Sequence, residues 1–487
     1  MIGSIGASYN NYGITSVNSE VSGDMSAQAS GDVEFSYNSQ DQLVFEPTTT
    51  VVRDVKMGKN GPETPRVKLG RSELQPNADD KFVFDQGKKE FTGAMTFATV
   101  NKTLEMFEGA YGGKVPWGGR GEQIKLVPDG GEMLNAYYSR RDNSLNFFHA
   151  FDPVNNTTVM TGESGEVVSH EVGHAMLDGI RPGYLSAWSP DPGGFHESFG
   201  DCIAMFMSTQ DDRVCERVAK ETGGDLTKPN CLSATGEELG QTINNAAGKN
   251  STGGNYVRDA INDFKWQDPS TLPSRPSNSN ELSTEVHSWS RLFTGAVYDV
   301  MTGIVNRNME NGMEPAAAIK SAGAEMISLY GNLFKEAPKG DFTYEQMANS
   351  LLKADAKHME GRNGDIIRTA FTNRNILHEG SEALDDIDYG AQDYHMVSVT
   401  LDGDGFGMFS GATIETPVDS SKMFAMEDSD KLKSNMKRLI ADGRILYTEP
   451  NQKVETKDLF DKNGVPYMGV VRWVDGQMHI ERNTIID

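Results

Sequence analysis

His170-Glu171-Val172-Gly173-His174 constrains this chain more than any other stretch of it. Residues four apart on a helix share one face, so His170 and His174 can reach one tetrahedral metal ion at about 2.0–2.1 Å. Glu171 projects about a quarter turn away. That sets it beside the ion's open position, where a carboxylate can take a proton from water. The chain has only nine histidines, so a chance pairing at this spacing is rare. The bland alternative is a helix with two hydrogen-bonded histidines and a solvated glutamate. Val167, Val168, Val172, Ala175, Met176 and Leu177 make the segment too apolar for that, and histidines inside an apolar helix need partners.

H-E-x-x-H is the usual core of a zinc peptidase site, and such a site needs a third protein ligand. The third histidine of the extended H-x-x-G-x-x-H form is absent, because Leu177 follows where the pattern would have to continue and the next histidine is His196. The chain instead reads Gly194-Phe195-His196-Glu197-Ser198-Phe199-Gly200-Asp201. Glu197 and Asp201 are four apart and share a helix face. Glu197 would complete a His-His-Glu site, with His196 as the lesser rival. Asp201 would accept from the free imidazole nitrogen of a ligand histidine and fix its tautomer. Two acids near a helix N-terminus are also what the helix dipole favours; their place 23 residues after His174 favours the ligand reading.

With these residues the chain resembles the thermolysin-like zinc metallopeptidases, the gluzincins, whose third ligand is a glutamate. Residues 165–174 are similar to that family's active-site helix, and Glu197 with Asp201 to its E-x-x-x-D segment. Asn135-Ala136-Tyr137-Tyr138 resembles the edge strand that binds substrate backbone. Tyr256-Val257-Arg258 resembles the segment whose arginine binds a substrate carbonyl. Val286-His287-Ser288 resembles the segment whose histidine stabilises the oxyanion. Tyr184 matches the family's transition-state tyrosine. The resemblance spans roughly residues 80 to 380 and implies zinc as cofactor, with calcium as a structural ion in some members; no calcium-ligand loop is evident here. Each match has a physical rationale. An edge strand can accept a peptide as an extra strand. The Asn135 amide both donates and accepts, Arg258 offers a fork of donors, and His287 or Tyr184 can donate to an oxyanion.

The chain departs from the family pattern twice. Where the family places an aspartate five residues before the oxyanion histidine, this chain has Leu282, leaving Glu281 or Glu285 to orient His287. Where the family has asparagine before the ligand glutamate, this chain has His196. Both bear on efficiency and pH optimum more than on the metal site.

A chain of 487 residues has room for several domains. The net charge of −25 argues against nucleic-acid binding, and no apolar run is long enough for a membrane span. Cys202, Cys215 and Cys231 make no disulfide framework, although Cys215 and Cys231 could pair in an oxidising compartment. Residues 1–45 are rich in Ser, Gly and Asn and read as disordered. They lack the basic start and apolar stretch of a signal peptide, and a motif at 170 leaves little room for a propeptide. The expectation is a chain secreted without a recognisable signal peptide, by a specialised needle-type route as an effector would be, or one that stays cytoplasmic.

Apolar-polar alternation between glycine-rich turns predicts a β-rich lobe over 46–165, crossed by a helix near 92–110. The motif helix is expected at about 164–179, a loop over 182–194 and a helix over about 195–209. Residues 220–285 read as mostly loop. Helical spacing predicts further helices at about 286–306, 314–334, 343–358 and 363–374. Residues 378–394 read as a linker, and 395–487 as a small α/β domain of open role, with a helix near 429–442 and a hairpin at Asp475-Gly476. The fold class expected is α+β: a two-lobed peptidase with a β-rich N-terminal lobe, a helical lobe over 166–380, and the small domain, with the site in the cleft between lobes.

The expected function is a zinc metalloendopeptidase. Zinc is held by His170, His174 and Glu197, with Asp201 behind them. Glu171 is general base, and His287 and Tyr184 stabilise the oxyanion. Asn135, Ala136 and Arg258 hold a protein or peptide substrate. One rival is a catalytically silent, zinc-stabilised binding or effector protein acting through residues 395–487; a purely structural site has no use for Glu171. An aminopeptidase is disfavoured, since no G-x-M-E-N-type segment precedes the motif.

Overall fold

The computed structural model describes residues 30–487 apart from 72, 379–380, 382–389, 391–392, 421–423 and 463. It is a mixed α and β structure. The chain runs β1 (Gly31–Tyr37), β2 (Thr48–Gly58), β3 (Gly61–Glu63), β4 (Val67–Leu69), α1 (Lys89–Tyr111), β5 (Ile124–Val127), β6 (Ala136–Ser139), β7 (Ser144–Phe147), β8 (His149–Asp152) and β9 (Thr157–Met160). Helices α2 (Gly165–Ile180), α3 (Pro182–Ser186), α4 (Pro190–Ser208) and α5 (Asp212–Thr222) follow, then β10 (Ala234–Thr235), α6 (Glu237–Ala247) and β11 (Arg258–Asp259). Next come α7 (Val286–Glu310), α8 (Pro315–Leu333), α9 (Tyr344–His358) and α10 (Gly364–Asn373). The last part holds β12 (Tyr394–Thr400), β13 (Thr413–Asp419), α11 (Met426–Ala441), β14 (Ile445–Leu446), β15 (Gly469–Val474), β16 (Gln477–Arg482) and β17 (Ile485–Ile486).

An eight-stranded sheet runs in the order β1-β2-β3-β4-β5-β7-β6-β17. Its β4–β5 and β5–β7 pairs are parallel and the rest antiparallel. Helix α1 packs between this sheet and the helical part of the molecule, with Phe97, Val100, Leu104 and Phe107 in one continuous core. That core continues through α2, α4 and α7 to α8, α9 and α10, where Trp289, Phe293, Tyr330 and Tyr344 are fully buried. Local signals account for several helix starts. The Ser164 side chain accepts from Val167 N–H at the head of α2. Thr343 and Gln346 form a reciprocal capping box at the head of α9.

The C-terminal part of the chain holds a five-stranded sheet, β12-β13-β16-β15-β14, with α11 packed on it. Its apolar core takes in Trp188 from the α3–α4 connection, whose indole N–H donates to Glu415 O at 2.9 Å. A second apolar cluster joins it to the first sheet: Tyr137, Phe148 and Ile485 on one side, Val454, Leu459 and Val470 on the other. The β15–β16 hairpin turns at Asp475-Gly476, both in the left-handed region with φ of 50° and 78°, as a two-residue turn requires.

Several expectations need correction. Residues 30–45 are ordered, not disordered: Val33, Phe35 and Tyr37 alternate inward from β1, and Asn38 to Asp41 are buried. The short apolar alternation was masked by its Ser- and Asn-rich surroundings. Residues 1–29, the larger part of the 1–45 segment on which the export expectation rests, lie outside the described residues, as does most of the expected linker over 378–394. The loop expected over 182–194 is the short helix α3 followed by the first turn of α4. Prolines at helix starts read as breakers, yet Pro182 and Pro190 sit at N1 or N2 where no amide hydrogen is needed. The 220–285 stretch is mostly loop, as expected, although it carries α6 and the end of α5. Among the described residues no helix is long and apolar enough to cross a membrane.

Candidate metal centre and cleft

Helix α2 carries His170, Glu171 and His174 on buried faces, and α4 carries His196, Glu197 and Asp201 opposite them. The two helices approach closely at Gly173 and Gly200. A Cβ on Gly173 would lie 2.9 Å from Gly200 Cα. That lets the Glu197 carboxylate reach both histidines: its Oε2 stands 3.4 Å from His170 Nε2, and its Oε1 3.6 Å from His174 Nε2. Among the described residues His170, His174 and Glu197 are the one group of histidine, cysteine and acidic side chains with ligand atoms near enough to share an ion.

The chemistry of the group fits a cation. Glu171 Oε2, His174 Nε2 and both Glu197 carboxylate oxygens are buried without a hydrogen-bond partner. Leaving that many acceptors dry and unpaired is costly, and an ion between them satisfies three at once. The outer contacts hold the ligands in place. Asp201 Oδ1 lies 3.0 Å from His170 Nδ1, leaving Nε2 turned toward Glu197. His196 is not a member of the group. Its Nδ1 lies 3.3 Å from His174 Nδ1, so it orients that ligand from behind.

Arg258 enters from β11. Its Nε and Nη2 donate to Asp201 at 2.8–3.0 Å, and Nη2 stands 3.8 Å from Glu197 Oε2. His287, in the first turn of α7, has Nε2 3.4 Å from Glu197 Oε2. Glu285 supplies the orienting carboxylate that position 282 lacks: its Oε1 lies 2.8 Å from His287 Nδ1, while its Oε2 caps α7 by accepting from Ser288 N–H at 3.0 Å. Glu281 is committed elsewhere, to Ser277.

These contacts set the charges. Burial disfavours an imidazolium at His170, but Asp201 and Glu197 outweigh it and hold its pKa up at about 9. Burial, then the neighbouring His170 and His196, push His174 well below the usual imidazole range. Burial also lowers His196, to about 3. Burial raises Glu171 to about 8, with His170 opposing it and Glu197 adding to it. Burial would raise Asp201, yet Arg258 and His170 hold it down at about 2. His287 is held well above the usual range: burial opposes its charge, and Glu197 and Glu285 overcome it.

The centre opens into a cleft of about 640 Å³ lined by Asn135, Ala136, His170, Glu171, Arg258 and His287 among others. Strand β6 forms one wall. It is tied to the end of α2 through Asp178, which accepts from Tyr138 Oη at 2.8 Å and from Arg140 Nε at 2.8 Å. Asn135, Ala136, Arg258 and His287 are therefore brought together with the metal group. Tyr184 is not. It is fully buried in α3 against Phe195 and Phe342, and its hydroxyl donates to the Pro338 carbonyl. As part of a helix packed on α4 rather than a loop over the cleft, it has no route to a substrate.

Sequence reasoning missed Asp487. It lines the same cleft, its carbonyl oxygen lies 2.8 Å from His287 Nε2, and its Oδ2 accepts from Asn135 Nδ2 at 2.9 Å. No motif surrounds it, so nothing in the sequence could have flagged it. Comparison of the chain with protein-family models and with curated proteins finds no match.

Proposed function

We propose that this chain is a zinc-dependent endopeptidase of the gluzincin type, its site set between a β-rich lobe and a helical lobe. The observation that carries the reading is the set of unpartnered, buried ligand atoms on His174 and Glu197, facing His170 and opening on a cleft with Glu171 at its edge. Two imidazoles and one carboxylate are a usual catalytic zinc set, with a fourth position left open. Zinc bound there supplies Lewis acidity, lowering the pKa of water and polarising a carbonyl.

The chain's own residues do the rest. Glu171, with one oxygen free of hydrogen bonds, takes the proton of the attacking water and passes it to the leaving amine. Its raised pKa suits that exchange, and a cation nearby favours the ionised form that must act first. His287, kept protonated by Glu285 and Glu197, donates to the oxyanion of the tetrahedral intermediate. Asn135 and the main chain of β6 hold an extended peptide. Arg258 neutralises Asp201 and turns its remaining donors to the cleft.

The test is cleavage of an unfolded protein by the zinc-loaded chain beside its Glu171→Gln variant. Both are expected to hold one zinc, with the variant slower by roughly 10²–10⁴-fold. If neither cleaves while both hold zinc, and cleavage is still absent once the strand lying along β6 is released, the peptidase reading is wrong and a zinc-stabilised binding protein takes its place.

A further inference from the structure

Strand β6 is the edge that a bound peptide would extend, yet in this chain the place beside it is taken. Residues Ile485 and Ile486 pair antiparallel with it, opposite Ser139 and Tyr138. Thr484 O accepts from Arg140 N–H at 3.0 Å, continuing the pairing beyond the strand. Successive strand residues point to opposite faces, and both faces are received. Ile485 enters an apolar cluster with Tyr137, Phe148, Leu459 and Val470, while Ile486 joins the main core. Asp487 then reaches the centre. Its side chain takes the Asn135 amide and its carbonyl oxygen meets His287 Nε2, which is 3.4 Å from Glu197.

We propose that residues 484–487 occupy the peptide-binding edge of this chain in the manner of a substrate strand and hold it closed to other peptides. The inference rests on reading the cleft as a peptide site. It names the ligand class as well: an extended strand antiparallel to β6, with two successive β-branched aliphatic side chains followed by an acidic residue at the metal end. The groups that would grip a substrate are the ones this segment engages, namely the β6 main chain, the Asn135 amide and His287. A strand that served only to close the small domain could end at β16, whose pairing with β13 and β15 completes that sheet.

The test is binding of a fluorescent peptide, Glu-Arg-Asn-Thr-Ile-Ile-Asp, to full-length zinc-loaded chain carrying Glu171→Gln, so that hydrolysis cannot intervene. Releasing the strand with Ile485→Asp and Ile486→Asp is expected to tighten peptide binding at least ten-fold. A second variant locks the strand: Ser139→Cys with Ile485→Cys stand directly opposite one another and can be cross-linked. The oxidised form is expected to bind peptide at least ten-fold more weakly than its own reduced form, a comparison within one folded protein. If the released variant binds no better, or the cross-linked form binds as well as the reduced one, the strand is not an occupant of the peptide edge. Cleavage by the Glu171-containing released chain is scored separately. A gain in binding without cleavage supports the occupied edge and removes the peptidase reading; no gain removes the occupied edge whatever the cleavage result.

Discussion

Gly200 of α4 lies against the ring of His170 of α2: a Cβ at position 200 would stand 2.6 Å from His170 Nδ1. The close helix crossing is what brings Glu197 within reach of both histidines, so packing and the proposed metal binding depend on the same missing side chain. Gly200→Ala is expected to cost about 1–3 kcal/mol of stability through overpacking. It should also weaken zinc binding by about ten-fold or more, by displacing a ligand. A competitive chelator titration beside a thermal melt checks both; unchanged affinity would mean the ligands tolerate a wider crossing.

Without an ion the Glu197 oxygens and His174 Nε2 are buried and unpaired. The metal-free chain is therefore expected to melt lower, and zinc at 100 times its Kd should add about 2.7 kcal/mol. Thermal melts across a zinc titration measure this. A melting temperature independent of zinc would argue that the group binds no ion.

Tyr184→Phe separates a core role from a catalytic one. The lost hydroxyl donates to the Pro338 carbonyl, which keeps the Arg181 Nε–H as a second donor at 3.1 Å. Stability should fall by about 1 kcal/mol or less, with kcat/KM for peptide cleavage unchanged. A large loss of kcat at unchanged stability would put Tyr184 back at the reacting atoms.

The head of α2 meets the head of α6 at two carboxyls, Glu166 and Glu237, beside Asp41. Burial first, then mutual repulsion, raises Glu166 well above the usual carboxylate range, and burial with repulsion from Asp41 raises Glu237 to about 7. A folded-state pKa above the unfolded one makes the contribution to stability complete below about pH 4, and it is lost as pH rises through about 7. Glu237→Gln removes a carboxyl whose ionisation burial and Asp41 oppose. It should match the parent at pH 5 and gain roughly 1 kcal/mol at pH 8. Denaturant midpoints at the two pH values decide it; an equal effect at both would show that ionisation of Glu237 does not cost the folded chain stability.

Much of the centre was legible from short-range pattern. The four-residue spacings of His170 with His174 and of Glu197 with Asp201 set helix faces, and the apolar flanks of α2 and α4 required those faces to be buried. Periodicity likewise placed α7 to α10 within a few residues. Local chemistry misled where a residue has two uses. Pro182 and Pro190 read as breakers but start helices, and Ser-rich surroundings hid the alternation of β1.

What the sequence by itself determined is the identity of the candidate ligand residues and the faces they occupy, because helix geometry repeats over a few residues and needs no distant partner. Only the tertiary structure decided which side chains share a cleft. Glu285 rather than Glu281 turns His287, His196 stands behind His174, Tyr184 is spent in the core, and Ile485 to Asp487 lie along β6. Each of these depends on contacts between segments far apart in the chain, made by packing and main-chain pairing, which leave no periodic trace in the residues that make them.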